Sequence, residues 1–188
     1  GYAFSKDHQS YRITLRTKGW DGAFLPGQFL NIRLPAQSQR HKYRTYIDQD
    51  DFFSVSHEAV KRFPYVRRPF RIYQTEKNEA TGETDIHLLS AKLGIGSAQL
   101  AEFPIGEDVE VFTPIGNCFP QLKDVTEVYL VGGGIGIAPL VETSRAYRKR
   151  GVKTSIFYGV RTSDSSVITS KDDIGEAADE FFLATDIK

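Results

Sequence analysis

The run Val131-Gly-Gly-Gly-Ile-Gly-Ile-Ala-Pro-Leu140 constrains this chain more than any other stretch. It follows the apolar segment Val125 to Leu130 and opens an amphipathic segment of helical period. Glycines at a strand-to-helix turn let the backbone approach an anion closely, and the N–H groups and dipole at the helix start supply positive potential. The run departs from the dinucleotide fingerprint. Counting G-x-G-x-x-G from Gly134 puts Pro139 where the third glycine belongs, and no acidic residue closes the next strand. Taken alone, the loop is equally a tight turn between strand and helix.

Its context selects a fold class. After Val125 the pattern continues as helix Gly136 to Arg150, strand Thr154 to Gly159, helix about Ser170 to Glu180 and strand Phe181 to Thr185, which predicts a parallel sheet with helical crossovers. Before it lie short segments of strand period: Tyr11 to Thr17, Gln28 to Leu34, Arg68 to Thr75, Thr84 to Ser90 and Asp108 to Thr113. Turn signals at Pro26-Gly27, Thr81-Gly82 and Ile105-Gly106 punctuate them, the pattern of an antiparallel barrel or sandwich. One helix interrupts the strands, Ser97 to Phe103, with Ser97 as its expected N-cap. Gln121 to Asp124 reads as the linker. The polar, charge-dense stretch Ala36 to Val66 fits neither half and reads as a surface insertion with a short helix around Ser56 to Arg62, a lid or partner surface being the alternative.

Composition narrows the function classes. The formal net charge is zero, which gives no reason to expect nucleic acid or an anionic membrane as partner. The longest largely apolar run, Val128 to Val141, is too short and glycine-rich to span a bilayer, and no signal peptide is visible, so the expected location is cytoplasmic. Cys118 is the single cysteine, and His8, His41, His57 and His87 are scattered, so no metal site is expected. There is no methionine, and Asp186 to Lys188 breaks off where another element should begin, which reads as a truncated α/β unit.

Several features bear on chemistry. In Arg67-Arg68-Pro69-Phe70-Arg71 a guanidinium can fork onto a phosphate, and Phe70 shares the strand face of Arg68; the plain alternative is an exposed basic strand end. Gly94-Ile-Gly96-Ser97 opens a helix and is a second anion-receptive start. Thr113 to Phe119 reads only as a tight turn.

In this order Leu25-Pro-Gly-Gln-Phe29, Arg68-Pro-Phe-Arg71, Gly94-Ile-Gly-Ser97, Pro114-Ile-Gly-Asn117 and Gly132-Gly-Gly-Ile-Gly136 resemble the ferredoxin reductase superfamily, and within it the electron-transfer subunits of class 1B dihydroorotate dehydrogenase, a pyrimidine-biosynthesis complex. The resemblance implies an N-terminal antiparallel Greek-key β-barrel that binds FAD (residues 1–120, insertion 36–66), then an incomplete α/β parallel-sheet NAD(P)-binding domain (residues 125–188). It assigns Arg68 to the FAD pyrophosphate, Phe70 to the flavin ring, and Gly96 and Ser97 to the phosphates. It turns Gly132, Gly133, Gly134 and Gly136 toward the pyrophosphate of NAD(P)H, the substrate, and draws Pro69, Arg71, Gly94, Gly116 and Asn117 into the cofactor site. The implied partner is a catalytic flavoprotein or iron–sulfur subunit, and no general base or nucleophile is expected.

The chain also departs from that pattern. The family normally has Ser or Thr at Arg71, a hydroxyl that hydrogen-bonds flavin N5, and glycine at Cys118. With one cysteine the chain cannot ligate a [2Fe–2S] cluster, which would need cysteines beyond residue 188. Arg161, at the end of a strand with no acid there, is compatible with a 2′-phosphate or with a plain surface position, so NADH versus NADPH stays open. A non-catalytic, flavin-binding scaffold is the competing expectation.

Overall fold

A computed structural model describes residues 1–35 and 67–186, so the expected insertion with its short helix lies outside the described residues. The first half forms a six-stranded antiparallel sheet from β1 (Tyr2–Phe4), β2 (Ser10–Lys18), β3 (Phe29–Arg33), β4 (Arg68–Asn78), β5 (Glu83–Ala91) and β6 (Glu110–Ile115). Its order β1-β2-β5-β4-β3-β6 places β2 beside β5 rather than β3, the return that defines a Greek key. Alternation explains the core: Ile13, Leu30, Ile32, Phe70, Ile72, Ile86 and Leu88 share the inner face and close on α1 (Ile95–Ala101). β1 carried no period-two signal because it is only three residues long.

The second half is a three-stranded parallel sheet, order β7-β8-β9, from β7 (Glu127–Gly133), β8 (Lys153–Val160) and β9 (Glu180–Thr185). β7 leads through a 3-10 turn (Gly134–Ile137) into α2 (Ala138–Arg148), so the helix starts two residues later than expected. Pro139 in its first turn needs no N–H donor there and stabilises this start. One face of the sheet packs on α2 and on the β8–β9 connection, burying Ile137, Val141, Ile156, Ile168 and Ile174. The other face carries exposed Tyr129, Val131, Phe157 and Phe182, with the Phe157 and Phe182 rings stacked at 4.8 Å.

The helix expected over Ser170 to Glu180 is absent; turns and a single 3-10 turn, Gly175–Ala177, take its place. Two local causes compete with a helix. The Asp173 carboxylate accepts the N–H groups of Thr169 and Ser170, and Gly175 sits at φ +57°. No helix among the described residues is long and apolar enough to cross a membrane.

The halves meet through a bulge in β4. Ile72 pairs with Leu88 and Gln74 with His87, so Tyr73 is an extra residue in the ladder. Two consecutive side chains are therefore buried in opposite directions: Ile72 (1 % exposed) in the antiparallel core and Tyr73 (2 %) in the core of the parallel unit.

Candidate cofactor cleft

A cleft of about 700 Å³ opens where β4, β5, α1 and the turn after β7 converge. Of the residues singled out from sequence, it gathers Arg68, Pro69, Phe70, Arg71, Gly94, Gly96, Ser97 and Gly136. Gly116, Asn117, Gly132, Gly133 and Gly134 do not line it.

The α1 wall is positioned by two tyrosines. Tyr11, fully buried, donates its hydroxyl to the Ser97 carbonyl at 2.7 Å, and Tyr2 donates toward the Leu100 and Phe103 carbonyls at 2.9 and 2.7 Å. Burial raises both phenols, that of Tyr2 to about 12, so both stay protonated donors at neutral pH. The expected N-cap is corrected. Gly94 is the N-cap and Ser97 stands at the third helical position, where its hydroxyl accepts the Leu93 and Gly94 N–H groups at 3.0 and 3.2 Å and donates to the Gly94 carbonyl. Serine here supplies the half of a capping box that reaches back from the third position, usually Glu or Gln, while Gly94 has no side chain to supply the other half; the helix start lies one turn earlier than expected. Its hydroxyl is thereby engaged, and the first-turn backbone N–H groups are the donors that helix geometry leaves over. At Gly96 a Cβ would fall 2.9 Å from Arg68 Nε, so a larger residue would displace the arginine side chain from this turn.

The β4 wall splits by strand parity. Phe70 is 8 % exposed and packs among the core side chains, while Arg71 is exposed on the opposite face. The Arg71 guanidinium donates to the Gly27 carbonyl at 2.5 Å and lies 5.5 Å from the centre of the Phe29 ring, its cross-strand neighbour. That arginine is held at the rim of the cleft by the Pro26-Gly27 turn.

The same turn organises the far side. Phe119 N–H donates to the Pro26 carbonyl at 2.8 Å, bringing Phe119 into the cleft, and Gln28 bridges Leu25 N–H to the Gly116 carbonyl. Gly116 sits at φ +83°, and a Cβ there would come 2.4 Å from the Phe29 ring. Its role is to admit that ring. Gly132 similarly admits Leu140, whose Cδ1 lies 2.6 Å from where a Cβ would stand, so α2 packs tightly on β7. Gly136 is open on that side and faces the cleft. Cys118 is exposed beside Phe119, and Arg161 is exposed beyond β8, outside the cleft.

Sequence reasoning missed Leu89, Phe119, Ile135 and Pro139 as cleft walls. Phe119 had a signal, an aromatic closing a glycine turn. Leu89 had none, because it reads as one more core strand residue.

Among the described residues the cleft thus offers two guanidiniums, no carboxylate, and a mostly apolar lining. Such a lining suits an anionic ligand with a flat apolar body.

No protein-family model matches the chain. It is 30 % identical over 122 residues to the electron transfer subunit of dihydroorotate dehydrogenase B (NAD(+)) of Clostridium perfringens (strain 13 / Type A), covering 64 % of this chain and 46 % of that one. It is 31 % identical over 151 residues to the same subunit of Streptococcus pneumoniae (strain ATCC BAA-255 / R6), covering 79 % and 48 %. The chain spans about half the length of the curated relatives it matches. Among solved structures, the NADH-dependent reduced ferredoxin-NADP oxidoreductase superposes with a TM-score of 0.68 at 20 % identity, over 96 % of this chain and 53 % of that one. The chain has the fold of the ferredoxin reductase type, and its curated relatives are electron transfer subunits of dihydroorotate dehydrogenase B.

Proposed function

We propose that the cleft holds FAD and that the chain passes electrons between NAD(P)H and a partner redox protein, as an electron-transfer subunit of the dihydroorotate dehydrogenase B kind. The observation that carries this is the lining itself: Arg68 and Arg71 with no acid among the described lining residues, between apolar walls drawn from both halves of the chain. The residues present fit the group. Gly96 lets the first turn of α1 lie against Arg68, which brings the guanidinium and the first-turn N–H groups to one side of the cleft, and Gly136 leaves the opposing wall open. In this reading residues 1–120 form the FAD-binding domain and residues 125–188 the first part of the NAD(P)-binding domain.

The roles follow from chemistry already described. Arg68 would fork onto the pyrophosphate and the first-turn N–H groups of Gly96 and Ser97 would donate to phosphate oxygens. Phe70, Leu89, Phe119 and Ile135 would flank the ring system and keep water from it. Gly132 to Gly136 would face the NAD(P)H pyrophosphate. Bound flavin supplies hydride acceptance and one-electron release. The protein supplies charge, orientation and exclusion of solvent, and the reading asks for no side-chain acid or base. The fitting partner is a catalytic flavoprotein or an iron–sulfur subunit, and any cluster must be ligated outside these residues.

One observation favours a second reading, a flavin-binding scaffold without hydride chemistry: Arg71 stands where the family has a hydroxyl and is tethered to Gly27. An anaerobic visible spectrum separates the two. The chain reconstituted with FAD should retain the cofactor on gel filtration, and NADH should bleach its long-wavelength band. Retained colour that NADH leaves untouched selects the scaffold, and failure to retain FAD removes both readings.

A further inference from the structure

The cleft has walls from two units, and the same two elements that form those walls meet again farther along. On β4, Phe70 and Arg71 line the cleft, and Tyr73 and Gln74 lie three residues on from them, about 10 Å along the strand. On α2, Pro139 lines the cleft and Arg145 lies six residues on, about 9 Å along the axis. At this second meeting point the Tyr73 hydroxyl donates to the Asp173 carbonyl at 3.1 Å. Arg145 Nη2 donates to Gln74 Oε1 at 2.9 Å and to the Ile174 carbonyl at 3.4 Å, while its Nη1 donates to Glu142 at 3.1 Å. The Gln74 amide is used at both ends, since its Nε2 donates to Glu76 at 2.6 Å.

We propose that Tyr73 and Arg145 are positioning residues that hold the two walls of the cleft in register, resting on the reading of that cleft as the FAD site. Neither residue lines the cleft, so each acts through the element that carries it. The bulge is what makes this possible. It turns Tyr73 out of the antiparallel core without disturbing Ile72, and the ring fills the parallel core while the hydroxyl and the neighbouring Gln74 engage polar groups at its margin. The units are also joined outside the cleft lining, where the Asp7 N–H donates to the Asp164 carbonyl at 3.1 Å; beside the cleft, the directional bonds of Arg145 add to the apolar contact of Tyr73 and Leu89 to fix the angle.

The test measures wall separation and cofactor affinity separately. Spin labels on native Cys118 and on Ser163→Cys, both exposed and one in each unit, report the distance by double electron–electron resonance without any cofactor. The parent protein should give one narrow distribution. Tyr73→Phe with Arg145→Gln, which keeps the ring and the helix, should broaden it, and Arg145→Lys should restore much of the narrow form. If the aligned fraction falls to about a tenth, FAD affinity falls about tenfold. A double variant with an unchanged distance distribution overturns the proposal. So does a broadened distribution with unchanged FAD affinity. Should the parent take up no FAD, the functional reading fails, and the distance distribution alone still decides whether these residues hold the walls.

Discussion

The two sheets solve the problem of covering apolar strands differently. The antiparallel sheet closes over its own inner face, so away from Tyr73 and Leu89 its strands need only one buried side, and polar residues such as Arg16 and Asp85 pair across the outer one. The parallel sheet cannot do this. α2 and the β8–β9 connection cover one face, and Tyr129, Val131, Phe157 and Phe182 leave the other apolar and open among the described residues. Parallel sheets are ordinarily covered on both faces, so stability in this half depends disproportionately on the one packed side and on the antiparallel unit behind it. Tyr73 and Leu89, both from the antiparallel strands, belong to that packed side.

The strongest way to break the comparison is to hollow each core. Leu88→Ala and Ile156→Ala each remove a fully buried side chain and should cost about 2–5 kcal/mol. If the shared Tyr73 and Leu89 couple the halves, calorimetry will show one transition lowered by either change; two transitions, each moved by only one change, would mean the halves melt independently. Next comes Gly27→Ala. The residue has φ +99° and its Cβ would meet the Phe119 backbone nitrogen at 2.9 Å, so a loss of more than about 1 kcal/mol is expected by chemical denaturation. A stability loss near zero would mean that the turn holding Phe119 can relax.

Acid should distinguish the halves more gently. The Thr154 N–H, and then Arg148, hold the Asp179 carboxyl below the usual carboxylate range in the parallel unit. A lowered folded pKa means that the contribution is complete above the unfolded value of about 3.9 and disappears as pH falls through the folded one. Asp179→Asn should therefore lower the melting temperature at neutral pH and lose that effect in strong acid; a constant difference across pH would refute the assignment. The smallest effect belongs to Phe182→Ser on the open face. Stability should stay within about 0.5 kcal/mol while retention on a hydrophobic column drops. A large loss of stability would show that something covers this face in solution.

Much of this architecture was legible from residue periodicity. The first part of β2 and β5 up to Leu88 alternate, and the glycine run after Leu130 marked the change of sheet type. What escaped notice was local competition. Asp173 and Gly175 undo a helix that composition favours over 170–180, and Ser97 caps from inside the helix rather than from its start. In the cleft, Arg68 and Gly96 both stood out in the sequence, and the fold brings them to one side. Their mutual contact was not legible, because it depends on the absence of a side chain at Gly96. The consecutive burial of Ile72 and Tyr73 also breaks the period of two and carries no sequence signature of its own.

That bulge has a consequence for how such chains can change by insertion and deletion. On either side of Tyr73, Ile72 opposite Leu88 and Gln74 opposite His87 are already in step, so removing Tyr73 would restore plain alternation through the rest of β4. The strand would keep its register, and Thr75 its reach to the Gly22 carbonyl. A single lost codon would therefore remove the Tyr73 anchor between the halves while leaving the first half's pairing intact.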